Sequence, residues 1–225
     1  MSNVRNVVLA NDQIYHVLNR GIDRQTIFKT KWEYKRAIAT LKYYRFSNLP
    51  IKFSQLLNLP DEQEQQIIKE LIQKDEKLVE IIAYCLMPNH FHFMLKQVRD
   101  NGISKFIANF TNSYTKYFNT KHERKGHLFE GQFKAILVET EEQLIHLSRY
   151  IHLNPVSSFI IEAKNIENYE WSSLSEYLGS SNESLCFKEI ILNSFSTVEE
   201  YKLFLIDQIK YAQELDKIKH LVLED

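Results

Sequence analysis

Two histidines separated by one residue, His90 and His92, stand in the run Met87–Leu95, M-P-N-H-F-H-F-M-L. The run is strand-like. Alternate residues of a strand project to one face, so the two imidazoles point the same way while Phe91, Phe93 and Leu95 turn into a core. Two neighbouring imidazoles form half of a divalent-metal site, although the same spacing also suits a pair of packed histidines. A second polar set comes later: His146, Tyr150 and Asn154 recur at four-residue intervals and share a helical stripe beside the apolar Leu144, Leu147 and Ile151. A phenol oxygen can serve as a nucleophile. With an ordinary pKa of about 10 it needs a base or a polarising ion near neutral pH. An asparagine carbonyl can ligate a cation. Two imidazoles and one amide oxygen leave coordination positions open for phosphate oxygens and water, where an ion acts as a Lewis acid on the phosphate under attack. Spacing alone equally fits a packing tyrosine and an asparagine that stops a helix before Pro155.

The elements that must position these groups follow from periodicity and turn chemistry. Gln13–Asn19 alternates and reads as a strand, with a turn over Arg20–Asp23. Lys31–Phe46 reads as a helix with Trp32, Ala37, Ile38, Leu41 and Tyr44 facing inward. Residues 54–80 are helical, charged and acidic, an insertion at the edge of the fold. Glu80–Met87 and His90–Gln97 are strands joined by a Pro88–Asn89 turn. Asn101–Asn119 is a helix carrying Ile103, Phe106, Ile107, Phe110, Tyr114 and Tyr117. A basic loop, Lys121–Gly131, precedes a strand over Gln132–Val138. Thr140 with Gln143 forms a capping box for a helix to Leu153, ended by Pro155. Shorter helices are expected over Trp171–Leu178, Phe187–Phe195 and Val198–Leu215. Helices gathered on one face of an antiparallel sheet make an α+β, ferredoxin-like sandwich with a helical insertion and C-terminal helices.

The chain has 225 residues, 44% of them apolar, with 14 Phe and 12 Tyr against 5 Gly and 4 Pro. These amounts support one substantial core of helices and strands. Cys85 and Cys186 are far apart and read as free thiols, which suits a reducing cytoplasm. No signal pattern or membrane-length apolar run occurs. The net charge of −1 hides segregation: residues 1–53 carry ten Lys/Arg against three acids, and residues 81–136 carry eight against three, whereas 137–225 carries seven against sixteen. A basic surface beside a metal site suits a polyanionic substrate, and pairing between the basic and acidic blocks accounts for the segregation equally well.

Four separated segments, Y-H-V-L-N-R-G (Tyr15–Gly21), the His90/His92 run, G-H-L-F-E-G-Q-F-K (Gly126–Lys134) and R-Y-I-H-L-N-P-V (Arg149–Val156), together resemble the single-tyrosine HUH transposases, and more narrowly the REP-associated tyrosine transposases of bacteria. The later W-S-S-L-S-E-Y (Trp171–Tyr177) is similar to those proteins as well. The resemblance implies a ferredoxin-like core, with His90 and His92 as the metal pair, Asn154 as third ligand and Tyr150 as nucleophile. It implies magnesium or manganese, single-stranded DNA with hairpin ends as substrate, a 5′-phosphotyrosine intermediate, and a homodimer. It places the catalytic domain at residues 1–180, with 181–225 as a helical extension. Where the family more commonly has Trp, Gln and Arg in the loop motif, this chain has Phe129, Glu130 and Gln132, so one expected phosphate contact is weakened, which bears on DNA affinity or specificity more than on the chemistry. Arg20, Arg24, Lys121, Arg124 and Lys125 are the remaining candidates for DNA contact, and His146 and His127 are candidate auxiliaries at the site. Two other activities stay open on the sequence. One is a domesticated protein that binds single-stranded or hairpin nucleic acid without cutting it. The other is a metal hydrolase that uses activated water.

Overall fold

The computed structural model describes residues 8–181 and 184–207. Four strands, β1 (Ile14–Arg20), β2 (Val79–Met87), β3 (His90–Gln97) and β4 (Lys134–Leu137), form an antiparallel sheet in the order β2-β3-β1-β4. With its helices this is the expected α+β architecture. The described residues fall into two compact units. One comprises the residues up to Glu80 with Pro88–His90 and Leu95–Leu137; the other comprises Ile81–Met87, Phe91–Met94 and the residues from Val138 onward.

In the first unit, β1 pairs with β4 from Tyr15↔Leu137 to Leu18↔Lys134. Helices α1 (Lys31–Tyr44) and α4 (Gly102–Lys121) supply most of its apolar packing, with α2 (Phe53–Leu56) and α3 (Asp61–Lys74) between them in sequence. Ala37, Leu41, Phe106, Phe110 and Tyr114 are buried, and the Tyr114 hydroxyl donates to the Ile27 carbonyl at 2.6 Å. Trp32 was expected on the inner stripe of α1 but is 63% exposed. Glu33 takes the inner place instead. Its carboxylate caps the helix by accepting from the Lys29 and Thr30 amides, and also accepts from Lys121 Nζ at 2.7 Å and His122 Nε2 at 2.8 Å. A buried carboxylate is tolerable when its lone pairs are filled in this way. In α4 the inner position falls to Phe118, next to the expected but only half-buried Tyr117. Gly102 opens that helix because a Cβ there would stand 2.1 Å from the Leu78 carbonyl oxygen. The acidic segment becomes α2 and α3, and α3 buries only Leu71.

In the second unit, α5 (Glu141–Ser157) begins as expected, with Thr140 accepting from the Gln143 amide. Pro155 does not end it. The helix runs on to Ser157, and the Ser158 amide closes on the Asn154 carbonyl at 3.0 Å. Proline loses the bond to the carbonyl four residues before it and crowds that group, but it leaves the following carbonyls free to accept, and those of Asn154 and Pro155 take the Ser158 and Ile160 amides. Beyond lie α6 (Leu174–Tyr177) and α7 (Glu189–Leu192), each shorter than expected, and α8, described over Val198–Ile206. The part of the last expected helix from residue 208 to Leu215 lies outside the described residues. The W-S-S-L-S-E-Y segment fastens onto β2. Leu86 N–H donates to the Trp171 carbonyl, Tyr84 N–H to Ser173 Oγ, Ser173 N–H to the Tyr84 carbonyl, and the Tyr177 and Tyr169 hydroxyls to the carbonyls of Ile82 and Leu86. Cys85 and Cys186 are buried free thiols. Among the described residues no helix is long and apolar enough to cross a membrane.

Candidate active site

His90 and His92 are the first and third residues of β3, so strand geometry aims both imidazoles from one face. His92 is only 5% exposed. His90 is partly open, and its Nδ1 lies 2.6 Å from Asn89 Oδ1. The amide oxygen can only accept, so Nδ1 carries the proton and Nε2 holds the lone pair that a metal would use. Asn89 is itself held by donating from Nδ2 to the Arg24 carbonyl at 3.2 Å. In the sequence Asn89 reads only as a turn residue. The signal that it also orients His90 is its position directly before the histidine pair.

On α5 the three polar residues do not share one environment. A step of four residues advances a helix by about 40° beyond a full turn, and exposure falls along the stripe: His146 is exposed, Tyr150 is 40% exposed and Asn154 is 3% exposed. The Tyr150 ring meets the His92 ring edge to face, with centroids 5.4 Å apart and planes at 86°. His146 belongs to another cluster, in which Arg149 donates to its Nδ1 at 2.6 Å and Phe204 packs 5.6 Å from its ring. Asn154 accepts at its backbone oxygen from Ser158 N–H and Ser157 Oγ, and its Oδ1 lies 3.5 Å from Ser158 Oγ.

The far side of α5 fixes its rotation. His152 is fully buried, with Nδ1 2.8 Å from the Tyr201 hydroxyl and Nε2 2.8 Å from Ser173 Oγ. Tyr201 also donates to Ser148 Oγ at 3.1 Å. Ser148 and His152 lie about 200° around the helix from Tyr150. The clamp that holds them therefore presents Tyr150 away from α8. Burial drives the His152 pKa down to about 3, so the imidazole is neutral.

The remaining candidates lie in the first unit. Arg20 pairs with Glu130. Lys121 is committed to Glu33, and Arg124 bonds Asn119 Oδ1 and the His127 carbonyl. Arg24, Lys125 and the His127 side chain are exposed. The loop that carries His127 is tied to the end of β1 through Glu130 N–H to the Arg20 carbonyl, and to the turn after it through Ile22 N–H to the Leu128 carbonyl.

Among the described residues no three His, Cys, Asp or Glu side chains form a group that could hold a metal ion. The donor set under consideration, two imidazoles and an amide, differs in kind. It is electrically neutral, so a divalent ion held there keeps its charge for a phosphate, and a tautomer fixed as in His90 is what such an ion requires.

The family described as "Transposase IS200 like" matches residues 10–154 of the chain. A solved structure of a REP-associated tyrosine transposase bound to a REP hairpin is similar at a TM-score of 0.53 and 16% identity, over 83% of this chain and 91% of that one. At that identity the likeness is one of fold, and it extends past the family match into the C-terminal part of the chain. No curated protein matches the chain.

Proposed function

The chain belongs to the IS200-like transposase family, and on that premise we propose that it cuts and rejoins single-stranded DNA through attack by Tyr150. The observation that carries this reading is the edge-to-face meeting of the Tyr150 and His92 rings, which sets the only phenol of the R-Y-I-H-L-N-P-V motif beside a histidine of the H-F-H motif. Tyr150 Oη forms the new bond to phosphorus and loses its proton to water. The bond from phosphorus to the 3′ oxygen breaks, and that oxygen leaves as a hydroxyl after taking a proton. The products are a 5′-phosphotyrosine and a free 3′-hydroxyl. Attack by another strand's 3′-hydroxyl reverses the step, so strands are rejoined without a nucleotide cofactor. His90, His92 and Asn154 are the residues proposed to hold magnesium or manganese, and when bound the ion supplies Lewis-acid withdrawal of charge from the scissile phosphate. Arg24 and Lys125, exposed and without an ion pair among the described residues, are the candidates best able to take backbone phosphates. The active form is proposed to be a homodimer acting on hairpin-forming DNA.

The test is the protein–DNA adduct on a denaturing gel, formed with labelled hairpin-ended single strands and manganese. Wild-type protein is expected to give the adduct. Tyr150→Phe is expected to abolish it while binding the same DNA. An adduct that persists in Tyr150→Phe removes Tyr150 from the role, and binding with no adduct from wild-type protein replaces strand transfer with recognition alone.

A further inference from the structure

The first unit holds an open cavity of about 850 Å³ between α1, the segment 49–55 and α4, and none of its lining residues is among those proposed for strand transfer. Its wall carries the cations Arg36, Lys52, Lys116 and Lys121 and the rings of Tyr44 and Tyr117. Amide and hydroxyl side chains make up most of the remainder, and none of the lining residues is Asp or Glu. Lys121 is neutralised by Glu33. The other three cations have no carboxylate partner among the described residues.

Arg36 is the informative member. Its guanidinium lies over two rings, 4.5 Å from the centroid of Phe53 and 5.2 Å from that of Tyr117, and its Nε is buried without a hydrogen-bond partner. Aromatic faces stabilise the flat of a guanidinium but satisfy none of its N–H donors. A half-buried guanidinium with one buried, unfilled N–H is a favourable place for an acceptor to arrive at its other donors. The acceptor expected from these surroundings is an anion, because two more uncommitted ammonium groups border the same space.

The geometry points to a second nucleic-acid site, in which a short stretch of single-stranded DNA sets phosphates against Arg36, Lys52 and Lys116 and a base against Tyr117. The volume lies near the upper end of the range for ligand cavities, about 300–1,000 Å³, and exceeds what one inorganic anion would fill. Cations interleaved with aromatic rings are also the combination by which single strands are held, through backbone attraction and base stacking. The choice of DNA among polyanions rests on the transposase reading above. The cavity itself needs none of the residues proposed for strand transfer.

Lys52 and Lys116 are exposed, so Lys52→Ala/Lys116→Ala preserves the fold and leaves the strand-transfer residues untouched. Binding of a fluorescent single strand is measured against salt, and an oligonucleotide carrying 5-iodouracil is photocrosslinked and the modified peptide read by mass spectrometry. Loss of two phosphate contacts is expected to reduce the slope of log K against log salt by about 1.4 for single strands. The crosslink is expected on the Tyr117 peptide in wild-type protein and absent from the double variant. An unchanged slope, or crosslinks confined to other peptides, overturns the site even where the Tyr150 adduct still forms. A Tyr117 crosslink with no Tyr150 adduct supports the site and removes strand transfer. Failure to bind single strands at all removes both.

Discussion

His152 Nδ1 and the Tyr201 hydroxyl stand 2.8 Å apart inside the second unit. The tyrosine proton goes to Ser148, so the hydroxyl oxygen can receive the imidazole N–H, and Nε2 lies 2.8 Å from Ser173 Oγ, whose proton goes to the Tyr84 carbonyl. Burial keeps the ring neutral by lowering the pKa from 6.5 to about 3.

A pH dependence follows. The unfolded chain takes up a proton on His152 as pH falls below about 6.5, whereas the folded chain refuses it until about 3. Stability from this residue is therefore complete above that window and declines as pH falls through it, by up to about 1.4 kcal/mol per pH unit. His16 in β1, held down to about 4 by burial, acts with the same sign. Denaturant unfolding at pH 7 and pH 5 is expected to show a loss of about 2 kcal/mol per histidine. His152→Gln is expected to be less stable at pH 7 and to lose about half of that slope. A variant as pH-sensitive as wild type would refute the assignment.

Asn89 orients His90 rather than touching DNA in this scheme. Asn89→Ala is expected to raise the manganese concentration for half-maximal adduct formation about 10- to 100-fold, the usual range for losing the partner of a metal-bound histidine. Saturating metal should restore most of the rate, and Asn89→Asp should rescue the affinity. A lowered rate with unchanged metal dependence would mean that Asn89 shapes only the turn.

Glu33 is wholly buried. Burial alone would raise its pKa, but hydrogen bonds from Lys121, the Lys29 amide and His122 outweigh that and hold it below the ordinary carboxylate value. Its contribution is thus present above the unfolded pKa of about 4.5 and lost as pH falls through the folded value. Glu33→Gln is expected to cost about 1–3 kcal/mol at pH 7, through weakened capping and lost charge-assisted bonds. The measurement is the urea midpoint at unchanged m value, and a midpoint equal to that of wild type would contradict it.

The parts legible in the sequence are those whose causes are local. The bounds of β3, the Pro88–Asn89 turn and the Thr140 cap each depend on neighbours within a few residues. Trp32 and Glu33 exchange their expected places because the partners that make a carboxylate acceptable inside, Lys121 and His122, lie 88 and 89 residues away. His146 and Tyr150 look equivalent on a helical wheel. They part company because Arg149 and Phe204 collect one and His92 meets the other. Pro155 reads as a stop because a proline disturbs the turn before it, yet the Asn154 carbonyl still accepts from Ser158 N–H and the helix runs to Ser157. W-S-S-L-S-E-Y is visible as a motif, but that its hydroxyls serve the backbone of β2 depends on residues about 90 positions apart.

That fastening bears on how copies of the chain can assemble. β2 is an outermost strand, and a bare outermost strand invites a foreign strand to pair along it. Here the carbonyls of Ile82, Tyr84 and Leu86 already receive Tyr177, Ser173 and Tyr169. The margin is sealed from within the same molecule. A dimer of this protein must be built from other surfaces, and continuous sheets running from one copy into the next through β2 are ruled out while the seal holds.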